Sequence, residues 1–209
     1  MSECSLTYAG VVTPRARPLS PDDRRDALVA ATLPLLLEHG RAVTTKQIAD
    51  AAGVAEGTIF RVFESKDELI AATIRHGFEP ENYLDQLAAI PHDADLRDRL
   101  LAIVSILQRR FVETFGLMQA VGMVAPPDDL EMSHERARYI QQSLAAMVDA
   151  VRPDQARLRM PAAQVVHLLR LLTFSGSHTE IAHGRLLTPD DIVDVVLHGV
   201  LKPTTEGTD

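Results

Sequence analysis

Residues Thr44–Phe63 read TTKQIADAAGVAEGTIFRVF, and the architecture can be worked out from them. Thr44 followed three residues later by Gln47 has the form of a capping box, in which each side chain bonds the other residue's backbone N–H and opens a helix. Ile48, Ala49 and Ala52 face inward before Gly53 turns the chain. A second short helix follows, with Ile59, Phe60, Val62 and Phe63 as its apolar members. Ala49 and Ala52 are small enough for close helix crossing, and Val54 can plug the angle between the helices. Two short helices joined in this way have the form of a helix-turn-helix, whose second helix enters the DNA major groove. Turn and spacing alone also suit an ordinary helical hairpin.

Upstream, Ser20-Pro21-Asp22-Asp23 supplies a serine cap, a proline at the first helical position and two carboxylates at the positive end of a helix dipole. The spacing predicts a helix from Pro21 to about His39, with Leu28, Ala31, Leu35 and Leu36 inside and Gly40 closing it. Pro34 lies within it and predicts a kink. Downstream, Ser65-Lys66-Asp67-Glu68 is a further capping box, opening a helix through about Gly77 with Leu69, Ile70 and Ile74 inside. Beyond Pro80 the pattern predicts helices near 81–90, 95–115, 117–124, 133–151, 161–183 and 189–201. Their breaks fall at Pro91, Gly116, Pro126-Pro127, Pro153 and Gly184. Thr188-Pro189-Asp190-Asp191 repeats the device of the first helix. Nothing alternates with period two for long, and aromatic residues are scarce, so the fold class is all-α.

Composition sets outer limits. The 209 residues are 46% hydrophobic with a mean hydropathy near zero, which describes a globular chain able to bury a core. No apolar run approaches the roughly 18 residues that span a bilayer. The first residues lack a basic start followed by an apolar stretch, so cytoplasmic residence and no membrane partner are expected. Cys4 is the sole cysteine and cannot form an internal disulfide. The net charge is −8, with the acid concentrated beyond residue 77; residues 14–76 hold nine Lys/Arg and nine Asp/Glu. That balance permits DNA binding without requiring it.

Residues 25–70 resemble the DNA-binding domain of the TetR family of bacterial transcription regulators. The resemblance rests on Glu38-His39-Gly40, on Thr44, Ile48 and Ala49, and on Ala52-Gly53-Val54. It continues through Gly57-Thr58-Ile59-Phe60, Phe63, and Ser65, Lys66 and Leu69, in register and without gaps. It implies an N-terminal three-helix helix-turn-helix domain followed by a C-terminal helical ligand-binding and dimerisation domain. The divisions expected are a disordered basic arm over 1–19 carrying Arg15 and Arg17, the DNA-binding domain over 20–64, the helical domain over 65–201 and a tail over 202–209.

The same resemblance implies a double-stranded DNA operator as partner and assigns candidate contacts. Thr44, Thr58 and Lys66 would meet phosphates, with Lys46 and the Arg15/Arg17 arm as further phosphate contacts and Thr45 as a DNA contact beside them. Glu56, Gly57 and Arg61 fall on the recognition helix, where the Arg61 fork matches the two acceptors of guanine. Phe60 stands at the same face where many members carry tyrosine, although Phe60 and Phe63 read first as core. Ala55 replaces a common serine and removes a cap. Dimerisation through the last two helices is implied, with Val165, Leu168, Leu169 and Leu172 on one and Ile192, Val195, Val196 and Gly199 on the other. Internal core is the competing reading of those apolar stripes. A pocket for a small-molecule effector is implied in the middle helices, lined by Phe111, Phe115, Met118, Met123, Tyr139, Met147 and Phe174. Each of these serves equally well as packing. A ligand there would shift the fourth helix and the spacing of the two recognition helices, making the chain a repressor released by its effector.

Other chemistry is sparse. His178 and His183 are five apart and do not share a helix face well, and the remaining histidines are scattered, so no metal site is expected. No glycine-rich phosphate loop, Gly-x-Ser-x-Gly elbow or paired-cysteine site occurs, so neither cofactor nor catalysis is expected. A second reading is a small-molecule carrier or interaction protein with a non-functional helix-turn-helix. It rests on the near-neutral N-terminal charge and on Phe60.

Overall fold

The structure, a computed structural model, describes residues 20–79, 82–124 and 130–200, with side chains except at 130–135 and 200. Cys4, the 1–19 arm with Arg15 and Arg17, the Pro126-Pro127 break and the 202–209 tail lie outside the described residues. Within them every regular element is helical: α1 (Pro21–His39), α2 (Thr45–Ala52), α3 (Glu56–Ile59), α4 (Lys66–Phe78), α5 (Tyr83–Ala88), α6 (Leu96–Val121), α7 (Leu130–Val151), α8 (Ala162–Ser177) and α9 (Pro189–Val200).

The caps act where the sequence places them. The Ser20 hydroxyl accepts from Asp23 N–H at 3.0 Å and Asp23 accepts from Ser20 N–H at 3.2 Å. Thr188 and Asp191 repeat this exchange at α9, at 3.2 and 2.9 Å. Thr44 and Gln47 do the same at α2. At α4 only half of the expected box forms. Ser65 caps Glu68 N–H at 3.1 Å, but the Glu68 carboxylate turns away to Glu64 N–H at 2.6 Å and to Arg25 at 3.2 Å. Pro34 stays inside α1 on its exposed side, as is Ala30, so the carbonyl deprived of its helical donor faces water.

Two helix boundaries differ from the sequence expectation. Gly116 does not divide two helices: α6 runs unbroken through it to Val121, where Gly122 closes the helix. A lone glycine costs a helix only about 1 kcal/mol, and the apolar face at Leu107, Phe111, Phe115 and Met118 outweighs that. Conversely, α8 stops at Ser177, six residues early. His178 takes an extended backbone, and the chain closes local turns through Ala182 N–H to His178 O (2.9 Å) and Gly184 N–H to Thr179 O (2.9 Å).

Two buried clusters organise the molecule. The first joins Leu28 and Leu36 of α1, Ile48 of α2, Ile59 of α3, Phe63, and Leu69, Ile70 and Ile74 of α4. It also takes in Leu117 and Val121 from the end of α6. The α4 helix therefore packs with the elements before it. The second cluster gathers α5, most of α6, and the inner faces of α7, α8 and α9. Thus α6 belongs to both. At their junction Gly40 has φ +57°, and a methyl group there would sit 2.5 Å from the Ala120 carbonyl oxygen. Only glycine fits that backbone conformation and that approach without strain. Arg41 reinforces the contact by donating to Val121 O at 3.3 Å.

The C-terminal helices are also tied by charge. Arg97 of α6 reaches Asp190 (3.0 Å) and Asp194 (2.8 Å) on α9. Arg99, 2% exposed, pairs with Asp154 and donates to His92 O at 2.8 Å, fixing the 91–95 loop and the 152–157 turn against α6.

Candidate nucleic-acid interface and effector cavity

The α2–turn–α3 unit is built from local signals. Gly53 adopts the left-handed conformation (φ +65°) and its N–H reaches back to α2 carbonyls, while Val54 N–H bonds Ala49 O at 3.0 Å. Ile48, Ile59 and Phe63 point inward, leaving Thr44, Thr45, Lys46, Glu56, Gly57, Thr58, Arg61 and Lys66 exposed or half-buried on the outer side. The spacing that sends apolar residues to the core thus sends these to one surface.

Three details refine the expected interface. The recognition helix is a single turn, and Arg61 follows it in a turn closed by Arg61 N–H to Thr58 O at 3.2 Å. Ala55 offers no side-chain cap, and a short continuation replaces a longer helix. Phe60, read first as core, is instead 52% exposed, whereas Phe63 is buried. With so short a helix Phe60 falls at its end, pointing away from the cluster that Ile59 and Phe63 enter. Glu56 accepts a hydrogen bond from the Thr45 hydroxyl, so these two candidates brace one another across the turn. Lys66 donates to Arg41 O at 3.1 Å, which orients its ammonium beside the start of α2.

Behind this unit lies a cavity of about 640 Å³ bounded by α4, α6, α7, α8 and the 178–184 turns. Five of the seven expected lining residues meet there: Phe111, Phe115, Met118, Tyr139 and Phe174. Phe115 and Phe174 pack edge to face with centroids 5.1 Å apart, and His178 stands 4.6 Å from Phe115. Met123 and Met147 are corrections. Met123 packs against the N-terminal cluster and Met147 is fully buried in the C-terminal one, because each side chain faces the core from its helix end or inner face.

The sequence reading missed the polar half of this cavity. Arg75, Arg110, Arg136 and Arg170 line it, with Tyr83, Ser143 and one carboxylate, Glu79. The usable signal was periodic: Arg170, Phe174 and His178 recur every fourth residue and so share one face of α8 and its end. Burial pushes the Tyr83 phenol up to about 12, partly offset by the charges of Arg170 and Arg110. Tyr139 is likewise held above its ordinary value by burial and by Tyr83, whose ring is 5.7 Å away. Both hydroxyls therefore stay protonated near neutral pH and can donate. The Tyr139 hydroxyl is buried without a partner.

The proposed dimer stripe divides. Val165, Leu169, Ile192 and Val196 are consumed by the chain's own core against α6, so the competing reading holds for them. Leu168 and Leu172 are half-buried, while Gly199 and Val195, the latter 64% exposed, reach the surface. Leu171 joins them there. Among the described residues no three His, Cys, Asp or Glu side chains gather as for a metal, and no helix is long and apolar enough to cross a membrane.

The fold and the outward face of α2–α3 define an all-helical protein with an N-terminal helix-turn-helix. Residues 28–73 match the model of the bacterial regulatory proteins of the tetR family. An HTH-type transcriptional regulator of Mycobacterium tuberculosis is 33% identical over 117 residues, covering 54% of this chain and 55% of that protein. The HTH-type transcriptional repressor KstR2 of Mycolicibacterium smegmatis is 32% identical over 59 residues, covering 28% and 29%. The chain spans about half the length, or less, of the curated relatives it matches. A transcriptional regulator from Saccharomonospora viridis, solved with choline, shares the fold at TM-score 0.60 and 17% identity, over 87% of this chain and 99% of that one.

Proposed function

We propose that the chain is a homodimeric, sequence-specific DNA-binding repressor that leaves its operator when a small molecule occupies the cavity. The observation that carries this reading is the position of α4. Its first turn is fastened to the helix-turn-helix through Glu68 and Arg25, while Arg75, Phe78 and Glu79 at its other end wall the cavity. An occupant therefore touches the same helix that sets the recognition unit. Release requires the occupant to bind the DNA-incompetent arrangement more tightly than the competent one.

Lys46, Arg61 and Lys66 supply cations for phosphate and base contact, with Thr44, Thr45 and Thr58 beside them. The exposed strip at Leu171, Val195 and Gly199 supplies the dimer contact, which two recognition helices need to reach successive major grooves. The name of the M. smegmatis relative supports repression, and the choline complex of the S. viridis neighbour supports ligand binding in this fold. Action on DNA places the protein in the cytoplasm.

The test is fluorescence anisotropy against labelled DNA from upstream of the protein's own gene, with scrambled competitor and at two salt concentrations. Binding that survives competitor, falls with salt and is weakened by Arg61→Ala is expected. If that DNA and a random-sequence selection both yield no specific binding, the repressor reading fails and a carrier role replaces it.

A further inference from the structure

Several of the described arginines sit against carboxylates. Arg25 faces Glu68, Arg97 faces Asp190 and Asp194, Arg99 faces Asp154, and Arg157 shares Asp154. Around the cavity that pattern reverses. Arg75, Arg110, Arg136 and Arg170 face it with Glu79 as the only carboxylate among the described lining residues, and Glu79 is engaged with His76 at 3.3 Å. This excess of positive charge lies in the acidic part of a chain whose net charge is −8. Arg170 is half-buried and makes no hydrogen bond or ion pair among the described residues. Arg110, also half-buried, gives a donor to Phe78 O and keeps others free. Beside them the buried Tyr139 hydroxyl has no partner. Half-buried cations and an unpaired buried hydroxyl both raise the free energy of the empty site, and an anion would relieve both. Phe111, Phe115 and Phe174 give the same cavity a cluster of packed aromatic rings.

We propose that the cavity selects an anionic amphiphile, whose apolar body lies on Phe111, Phe115 and Phe174 and whose oxyanion head is held by Arg110, Arg170 and the Tyr139 hydroxyl. The proposal rests on the reading of this cavity as the effector site and narrows it to one chemical class. A guanidinium fork matches either a carboxylate or a phosphate. A quaternary ammonium, which the ring faces alone would attract, is repelled by four arginines.

Calorimetric titration of the full-length protein with four twelve-carbon probes below their micellar concentrations tests this: dodecanoate, dodecyl phosphate, dodecanol and dodecyltrimethylammonium. One or both anions should bind at least about tenfold more tightly than dodecanol, with no binding of the ammonium. The tighter of the two anions identifies the head group. Arg170→Met should abolish most of that preference while leaving dodecanol affinity unchanged, and Arg170→Lys should retain part of it. Equal affinity for dodecanol and the anions, no binding of either anion, or a preference that survives Arg170→Met overturns the proposal. The same probes added to the DNA complex separate the two readings. Anions that bind without releasing DNA leave the ligand class standing and remove the effector role. Release by dodecanol with inert anions does the reverse.

Discussion

The guanidinium of Arg25 lies 4.2 Å from the centroid of the Phe63 ring while its Nη2 reaches Glu68 at 3.2 Å. One side chain of α1 thus joins the end of the recognition unit to the first turn of α4. Glu68 titrates below its ordinary value of 4.5, first through the Glu64 N–H and then through Arg25. A carboxylate with a depressed folded value stabilises the fold fully above its unfolded value and ceases to do so as pH falls through the folded one. Wild-type stability should therefore decline below about pH 4.5, and Glu68→Gln should flatten that decline in denaturation midpoints measured from pH 7 to 3. Arg25→Met should remove the ring contact, at about 0.5–1 kcal/mol, and weaken operator binding as well.

Gly57 and Arg61 separate folding from recognition. A methyl group on Gly57 would meet nothing within the chain. Gly57→Ala should leave the melting temperature unchanged or raise it, since alanine favours the helix by up to about 1 kcal/mol. A loss of operator affinity at unchanged stability would mean that DNA backbone fills that space. Arg61→Ala should cost about 1–3 kcal/mol of specific binding and relax base preference at one position. Anisotropy on single-base operator variants measures both.

Gly40 is the least replaceable glycine. Alanine there meets both the positive φ and the Ala120 carbonyl, so Gly40→Ala should destabilise by about 1–3 kcal/mol. Thermal melting monitored by circular dichroism reads this directly. An unchanged midpoint would mean that the α1–α6 contact is loose.

The Arg99–Asp154 pair should show the asymmetry of buried ion pairs. Asp154→Asn strands a guanidinium that is 2% exposed and should cost about 3–5 kcal/mol. Replacing both by Met and Leu should recover most of that loss. Urea unfolding of the two variants distinguishes a stranded charge from lost packing.

Val195 tests the dimer surface. It is 64% exposed and its replacement disturbs little of the chain's own core. Val195→Asp should yield a monomer in sedimentation velocity with unchanged helicity, and operator affinity should fall with it. A dimer that persists moves the interface off this strip.

The helix-turn-helix was legible because its signals are local. Thr44 with Gln47, Gly53, and Ile48 with Ile59 and Phe63 each act within a few residues of themselves. Local signals misplaced Phe60, whose fate depends on α3 ending after one turn. Val165, Leu169, Ile192 and Val196 looked like a partner's surface because sequence shows that a face is apolar without showing what covers it; α6 does so. Arg110 and Arg170 escaped notice for the converse reason. A charged residue reads as solvated until a neighbouring helix, here α7 bearing Tyr139, closes over it.

At 26 residues α6 is about 39 Å long, and its last turn is a wall of the N-terminal cluster. Leu117 and Val121 each bury side chains worth roughly 1.5–3 kcal/mol there. The recognition unit is therefore no detachable module. Cutting the chain after α4 strips that wall away and exposes the apolar groove it filled, so the two halves should melt as one cooperative body and the N-terminal unit should leave the ribosome unfinished until α6 has followed.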